Sequence, residues 1–392
     1  MFKTALLLCI VASWIYWLVA LWLVFDFFRS KDPSRGSFTP PVSILKPVKG
    51  VDVQAYQNFA SFCRQQYPEY ELIFGVADPG DPILPVIERL KRDFPEQRIR
   101  LIVAEAFGAN RKASLLHQME QEACYETLVI SDSDMRATPE YLQRVVSPLA
   151  DEQIGLVTCP YRGESALNLA AGLEALHMGV TFLPSVVVAR KFLDMRFAMG
   201  ATVVLRRRDL VRLGGFASMA NYLADDYQLG ARIASLGLKV HLSSYVMACV
   251  LGASSFREQW HREVRWMRCS RVSRPREYPG LILSFSTTLA MVWILTTGFE
   301  PSNLQVLLVS LALRWTVAWL VSGWTGDSEA RRWLLWLPIR DILTALTWCV
   351  GGLGRRIVWR GEEFELRPEG LMQPRSVEQR EHTWRFRILH RS

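Results

Sequence analysis

The sequence predicts an α/β domain held between transmembrane helices at its two ends. Three observations carry that prediction: an uncharged run at the amino terminus, two further apolar runs beyond residue 280, and between them short apolar segments alternating with helix-like ones. The chain is 50% apolar with a net charge of +8, and its apolar residues are unevenly spread, so membrane content is read first.

Residues 4 to 27 form the first segment. TALLLCIVASWIYWLVALWLVF carries no charge over 22 positions, enough for roughly 30 Å of helix. The run continues into Asp26, Phe27, Phe28 and Arg29 without a small-residue cleavage site, which favours an uncleaved anchor over a signal peptide. SKDPSRGSFTPP, residues 30 to 41, has the composition of a linker. Near the other end, Leu281 to Phe299 and Leu304 to Ser322 are separated by GFEPSN and read as a membrane hairpin over 281 to 323, with Arg314 inside its second arm.

The segment 331 to 354 differs, because Arg340 and Asp341 follow Pro338 in its middle. Charges inside lipid are costly and are usually paired, so an interfacial or re-entrant segment is expected, leaving 355 to 392 as a basic tail. Arg29, Lys31 and Arg35 follow the first span, and Arg262, Arg265, Arg268, Arg271, Arg274 and Arg276 precede the hairpin. The positive-inside rule then places the domain between them, residues 42 to 279, in the cytoplasm.

Within that domain VSILKPV, ELIFGVAD, RIRLIVAE, TLVISDSD and IGLVTCPY alternate with helical patterns near 53–66, 82–93, 110–123 and from 139. Such βαβ units imply a parallel sheet with helices on both faces, binding its ligand beyond the carboxyl ends of the strands. Asp78 and Asp132 fall at two of those ends. No G-x-G-x-x-G or G-K-[ST] loop follows the first strand, which argues against a dinucleotide fold or a P-loop enzyme. In the second half, FAMGATVVLRRRDLVRLGGF reads as a strand and a short basic helix, and NYLADDYQLGARIASLG as a helix. Residues 177 to 199 are unusually apolar, as either core or a surface lying on the membrane.

Asp132 and Asp134 in LVISDSDMR suggest a turn, a helix cap or a bound cation, and a cap explains only one of them. Asp225 and Asp226 stand near a helix N-terminus, where the dipole alone favours carboxylates. Arg262 and Arg265 are three apart on one helix with Trp266 adjacent, suited to phosphate oxygens or to anionic lipid. The seven cysteines form no C-x-x-C pair and suggest neither a disulfide framework nor a thiolate metal site. No zinc, RRM or helix-turn-helix signature supports a nucleic-acid partner.

Taken in order, VSILKPVKGVD, GVADPGDP, GANRK, SDSDMR, YLADDY and REVRW resemble the family-2 glycosyltransferases of the GT-A fold, a Rossmann-like mixed sheet, and within them the ceramide glucosyltransferase branch. FASFCRQQYP, GLVTCPYRG, FLPSVVVAR and VWRGEEFEL look most like the bacterial hopanoid-biosynthesis members of that branch. The resemblance implies an inverting enzyme of a bacterial cytoplasmic membrane that moves a sugar, N-acetylglucosamine or glucose, from a UDP-sugar to a membrane-lipid hydroxyl. It also implies roles: Asp78 for uracil and ribose, Lys112 near the nucleotide or its phosphates, Asp134 as the direct ligand of Mg²⁺ or Mn²⁺, Asp132 for ribose or metal, Asp226 as base with Asp225 supporting, and Arg262, Arg265 and Trp266 at the departing diphosphate. A turn at DPGDP for Asp78 and a solvated Lys112 are the rival readings. At the level of function the rivals are a processive polysaccharide synthase, for which three spans seem too few, and a noncatalytic membrane scaffold. No oligomeric state follows from the sequence.

Overall fold

The computed structural model describes residues 1–30, 38–193, 195–359 and 362–374. Its first strands are the apolar runs read above: β1 (Val42–Pro47), β2 (Tyr70–Val76), β3 (Ile99–Val103) and β4 (Thr127–Ile130). After them come β5 (Met135–Arg136), β6 (Ile154–Thr158), β7 (Tyr161–Ala166), β8 (Val203–Arg206), β9 (Lys239–Leu242) and β10 (Met247–Gly252). Seven of these make one sheet in the order β3-β2-β1-β4-β8-β6-β9. β1 to β4 are mutually parallel, and β8 runs antiparallel to both of its neighbours, β4 and β6.

The sheet is therefore mixed, where strand–helix alternation alone implied an all-parallel one. After β6 the chain leaves through β7 and the apolar segment 169–192, then re-enters at the carboxyl edge, so β8 can only run backwards. Neighbouring residues feed opposite faces, as a period of two requires. Ile44, Leu72 and Val129 pack with Phe59, Phe62 and Tyr141, while Leu45, Ile73 and Leu128 pack with Leu116, Met119 and Phe216. Burial on both faces explains why these strands read as continuous apolar runs.

At the carboxyl edge, Asp78 follows β2, Asp132 and Asp134 follow β4, and Gly200 precedes β8. A second sheet, β5-β10-β7, closes over that edge. Val250 N donates to the carbonyl of Asp134 at 2.9 Å, which pins the D-x-D turn from the far side.

Four helices among the described residues are long and apolar enough to cross a membrane: Phe2–Arg29, Leu169–Phe192, Pro301–Trp324 and Ser328–Gly352. The second of these is 83% buried inside the protein. Its Leu183, Val186 and Val187 pack on Trp17, Ala20, Leu23 and Val24 of the first helix and on Val317 and Val321. The apolar stretch 177 to 199 is thus the seam between the α/β domain and the apolar helices. A π-helical turn, Met178–Phe182, lies within it.

The expected first arm of the hairpin is not one continuous helix. A 3₁₀ segment, Tyr278–Ser284, meets the helix Ser286–Thr297 at a 75° bend. Twelve residues of helix give roughly 18 Å, short of a hydrocarbon core. The carbonyl of Ser284, at the bend, accepts from Trp17 Nε1 at 3.1 Å. The charges that made 331 to 354 hard to read are both paired: Arg340 with Glu263 and Asp341 with Arg314.

Residues 355–359 and 362–374, read from sequence as part of a basic tail, instead contribute a three-stranded sheet: β11 (Arg356–Trp359), β12 (Glu362–Leu366) and β13 (Met372–Pro374). It attaches through Leu223 N to the Gly370 carbonyl at 2.9 Å and through Arg111 to Glu362 at 2.6 Å. Residues 31–37 of the linker and 375–392 of the tail lie outside the described residues.

Candidate active site

A cavity of about 660 Å³ opens at the carboxyl edge, lined by Asp78, Lys112, Asp132, Asp134, Asp225, Asp226, Arg265 and Trp266. Every residue singled out in the sequence lines it except Arg262. That arginine lines an adjoining cavity of about 400 Å³, which also contains Asp132, Asp134, Asp226 and Trp266. A third cavity, about 260 Å³, is walled mainly by apolar side chains including Met178, Phe182, Phe197, Met199 and Met267. Gly200, Asp226 and Trp266 line all three.

Each side chain is placed by local structure. Asn110 caps the helix Arg111–Glu122, accepting from Ala113 N at 3.0 Å, and its amide donates to Asp225 Oδ1 at 3.2 Å. That cap starts the helix whose second residue is Lys112, and Lys112 Nζ reaches Asp132 Oδ1 at 2.5 Å and Asp225 Oδ2 at 3.9 Å. Lys112 is therefore not the solvated lysine of the rival reading. Burial disfavours its ammonium, but Asp132 and Asp225 outweigh burial and raise its pKa.

Asp226 lies in the first turn of the helix Asp225–Ser235 and accepts from Gly200 N at 2.8 Å and from Tyr227 N at 2.7 Å. Burial first, then the charge of Asp225, push its pKa up to about 6, against the pull of Lys112. Asp134 is pushed up to about 7 by burial, then by Asp132 and Asp52. Its Oδ1 is buried without a hydrogen-bond partner among the described residues, and its Oδ2 accepts only a long contact from Cys249 Sγ at 3.6 Å. An orphaned carboxylate oxygen with a second carboxylate close by suits a divalent cation. No three or more His, Cys, Asp or Glu side chains cluster as a metal site among the described residues. A hard cation here would draw its remaining ligands from phosphate oxygens and water, as Mg²⁺ sites do.

Asp78 turns its own loop, accepting from Gly80 N at 2.8 Å, and still faces the large cavity. The helix Phe256–Ser273, started by a capping box between Ser255 and Glu258, carries Arg262, Arg265 and Trp266. Arg262 is held by Glu174 at 2.5 Å in the smaller polar cavity, so the two arginines serve different cavities although they are three residues apart.

Sequence reasoning missed five residues. Lys46 is fully buried beneath the D-x-D turn, donating to the Asp132 carbonyl at 2.9 Å and lying 3.6 Å over the Phe62 ring. Burial lowers its pKa to about 7, against the raising charges of Asp132, Asp134 and Asp52. Asp52 accepts from Ser133 Oγ at 2.5 Å. Gly200 leaves room where a Cβ would lie 3.3 Å from both Asp132 Oδ2 and Asp226 Oδ2. Glu174, the one acid in LAAGLEALHMGV, carried a readable signal, since an acid in an apolar helix wants a partner. Trp359, which closes the large cavity from β11, carried none.

The chain is similar to ceramide glucosyltransferase 3 of Caenorhabditis elegans, 24% identical over 356 residues that cover 86% of this chain and 75% of the relative. It is similar to the ceramide glucosyltransferase of Komagataella phaffii at 31% over 155 residues, covering 36% of this chain and 30% of that one. In fold it matches a mannosyltransferase from Pyrobaculum calidifontis, solved with GDP-mannose and Mn²⁺, with a TM-score of 0.53, 18% identity and coverage of 89% of this chain and 99% of that one. That likeness shows the GT-A fold expected from the motifs. The family profile that matches is family 21, where the motifs had suggested family 2. With that profile spanning residues 5–372, the chain belongs to Glycosyl transferase family 21.

Proposed function

We propose that the chain transfers a hexosyl group from a UDP-sugar to the hydroxyl of a membrane lipid, with inversion at the anomeric carbon. The observation that carries this reading is the position of Asp226, where polar cavities meet an apolar one. Phe182 and Phe197, on the apolar side, pack against the cluster formed with the first apolar helix. A lipid body entering there brings its hydroxyl to Asp226, while the nucleotide lies toward Asp78.

The acceptor oxygen attacks the anomeric carbon as the bond to the diphosphate breaks. Its proton passes to Asp226 and the bonding electron pair leaves with UDP. Asp78 holds uracil and ribose, and Lys112 and Arg265 face the phosphates. Asp225 acts through Lys112 and Asn110, and Arg262 with Glu174 borders the sugar. Asp134 and Asp132 would hold Mg²⁺ or Mn²⁺, which when bound supplies charge stabilisation for the leaving diphosphate. The Pyrobaculum neighbour was solved with Mn²⁺, which agrees with this donor set.

The relatives are ceramide glucosyltransferases, which favours glucose and ceramide. A second reading, N-acetylglucosamine to a hopanoid, rests on FASFCRQQYP, GLVTCPYRG, FLPSVVVAR and VWRGEEFEL. The basic flanks favour a catalytic domain in the cytoplasm. The interfacial reading of 331 to 354 draws support from contacts at both ends: Trp333 packs where a Cβ on Gly172 would fall, and Gly351 lies against Met267.

The test is a purified full-length chain given UDP-glucose or UDP-N-acetylglucosamine, with ceramide or a hopanoid polyol in mixed micelles and Mn²⁺ or Mg²⁺. Hexosyl transfer to either lipid, lost in Asp226→Asn with UDP-sugar binding retained, is the expected result. Glucosylceramide selects the first reading and a hexosaminyl hopanoid the second. A polymeric product, or no transfer to either lipid, overturns both.

A further inference from the structure

Arg340 and Asp341 are adjacent, oppositely charged and almost fully buried, at 0% and 3% exposure, yet each is paired elsewhere. Arg340 gives both Nη groups to Glu263, at 2.5 and 2.7 Å. Asp341 takes Nε and Nη2 of Arg314, at 3.0 and 2.8 Å, and the hydroxyl of Thr287 at 2.7 Å. The reaction described above uses neither pair. Buried ion pairs are also weak stabilisers compared with apolar replacements of similar volume, so stability alone does not account for two of them side by side.

Both pairs end on walls of the apolar cavity. Glu263 lies on the helix that presents Trp266 and Met267 to it, and Gln259 Nε2 steadies Glu263 at 3.0 Å. The helix Leu337–Gly352, which carries both charges, also packs closely there, since a Cβ on Gly351 would fall 2.4 Å from Met267 Cβ. On the other arm, Arg314 reaches Thr181 Oγ1 at 3.3 Å and the Val180 carbonyl at 3.5 Å. Those two residues sit inside the π turn whose ends, Met178 and Phe182, line the same cavity. Apolar contacts let helices slide and rotate against each other, whereas two-point guanidinium–carboxylate pairs fix direction as well as distance.

We propose that Arg340 and Asp341 are positioning residues for the acceptor, a two-armed strut that holds the Trp266–Met267 wall and the Met178–Phe182 wall at a set separation. The width so fixed selects which lipid body reaches Asp226. The inference rests on the reading of this cavity as the acceptor's path.

The test replaces each pair by an apolar one in the full-length chain: Glu263→Leu with Arg340→Met, and separately Arg314→Met with Asp341→Leu. Readouts are the thermal midpoint, KM for UDP-sugar, and kcat/KM for short-chain and long-chain ceramide and for a hopanoid polyol. The expected result is an unchanged midpoint and donor KM, a fall of roughly tenfold or more in acceptor kcat/KM, and loss of discrimination among the acceptors. The exchanged pair Glu263→Arg with Arg340→Glu should recover part of that discrimination. Unchanged acceptor kinetics in the apolar variants overturn the strut, as do donor and acceptor parameters that fall together with the midpoint. An unsubstituted chain that transfers to no lipid overturns the functional reading, and the strut with it; an active unsubstituted chain isolates the strut.

Discussion

The Oδ2 atoms of Asp132 and Asp226 converge on Gly200, each 3.3 Å from the point a Cβ would occupy there, with Lys112 Nζ at 3.5 Å from the same point. Asp132 follows β4 and Asp226 lies in the first turn of a later helix, and the backbone entering β8 passes beside both carboxylates. Gly200 N also donates to Asp226 at 2.8 Å, so this residue both orients the proposed base and leaves space beside it.

Gly200→Ala should therefore lower kcat by up to about tenfold, because a methyl 3.3 Å from both carboxylate oxygens shifts them by only a fraction of the ~1 Å displacement that costs about a hundredfold. Thermal stability should change little, since the added methyl meets side-chain ends rather than backbone. Steady-state kinetics beside a thermal melt would check it. An alanine variant with the parent's kcat would remove the junction from the mechanism.

The pH dependence of transfer should show an acid limb near 6, the value to which burial and Asp225 push Asp226. A base must be deprotonated to accept the acceptor's proton, so the rate falls as pH drops through that value and is flat above it. Asp226→Asn should abolish the limb with a rate loss of roughly a thousandfold. A profile measured at saturating donor, acceptor and divalent cation would test both.

Divalent-cation affinity should fall with acidity in a range set by Asp134, which without a cation holds its proton up to about 7. Binding must displace that proton, so Mn²⁺ affinity weakens by about tenfold per pH unit below that value and levels off above it. Calorimetric titrations in buffers of different ionisation enthalpy would count the released proton. In Asp134→Asn the release should vanish along with most of the affinity.

Trp359→Ala should raise KM for the UDP-sugar by about tenfold and leave acceptor selectivity as it was, because Trp359 lines the large cavity and not the apolar one. Donor titration by fluorescence, with acceptor kinetics alongside, would separate the two effects.

The carboxyl edge of the sheet was legible because buried parallel strands are continuous apolar runs, and a run that stops at Asp78 or Asp132 marks its own end. Asp226 was legible only through its motif, since a carboxylate at a helix start has an ordinary explanation in the dipole. The reversed direction of β8 was hidden, because VVLR has the same composition whichever way it runs. The bend before Ser286 was hidden for a similar reason: an apolar run does not record its own straightness. Gly200, Lys46 and Trp359 owe their place to partners far away in sequence, and only the pairing of strands brings those partners together.

The small sheet β11-β12-β13 bears on the order in which the protein matures. Every motif from Asp78 to Trp266 leaves the ribosome before the last two apolar helices, Pro301–Trp324 and Ser328–Gly352, whereas Trp359 and Glu362 emerge after both. The large cavity therefore gains its Trp359 wall only after the last apolar segment has been synthesised. A chain ending before Trp359 would carry every carboxylate of the large cavity and still lack that wall.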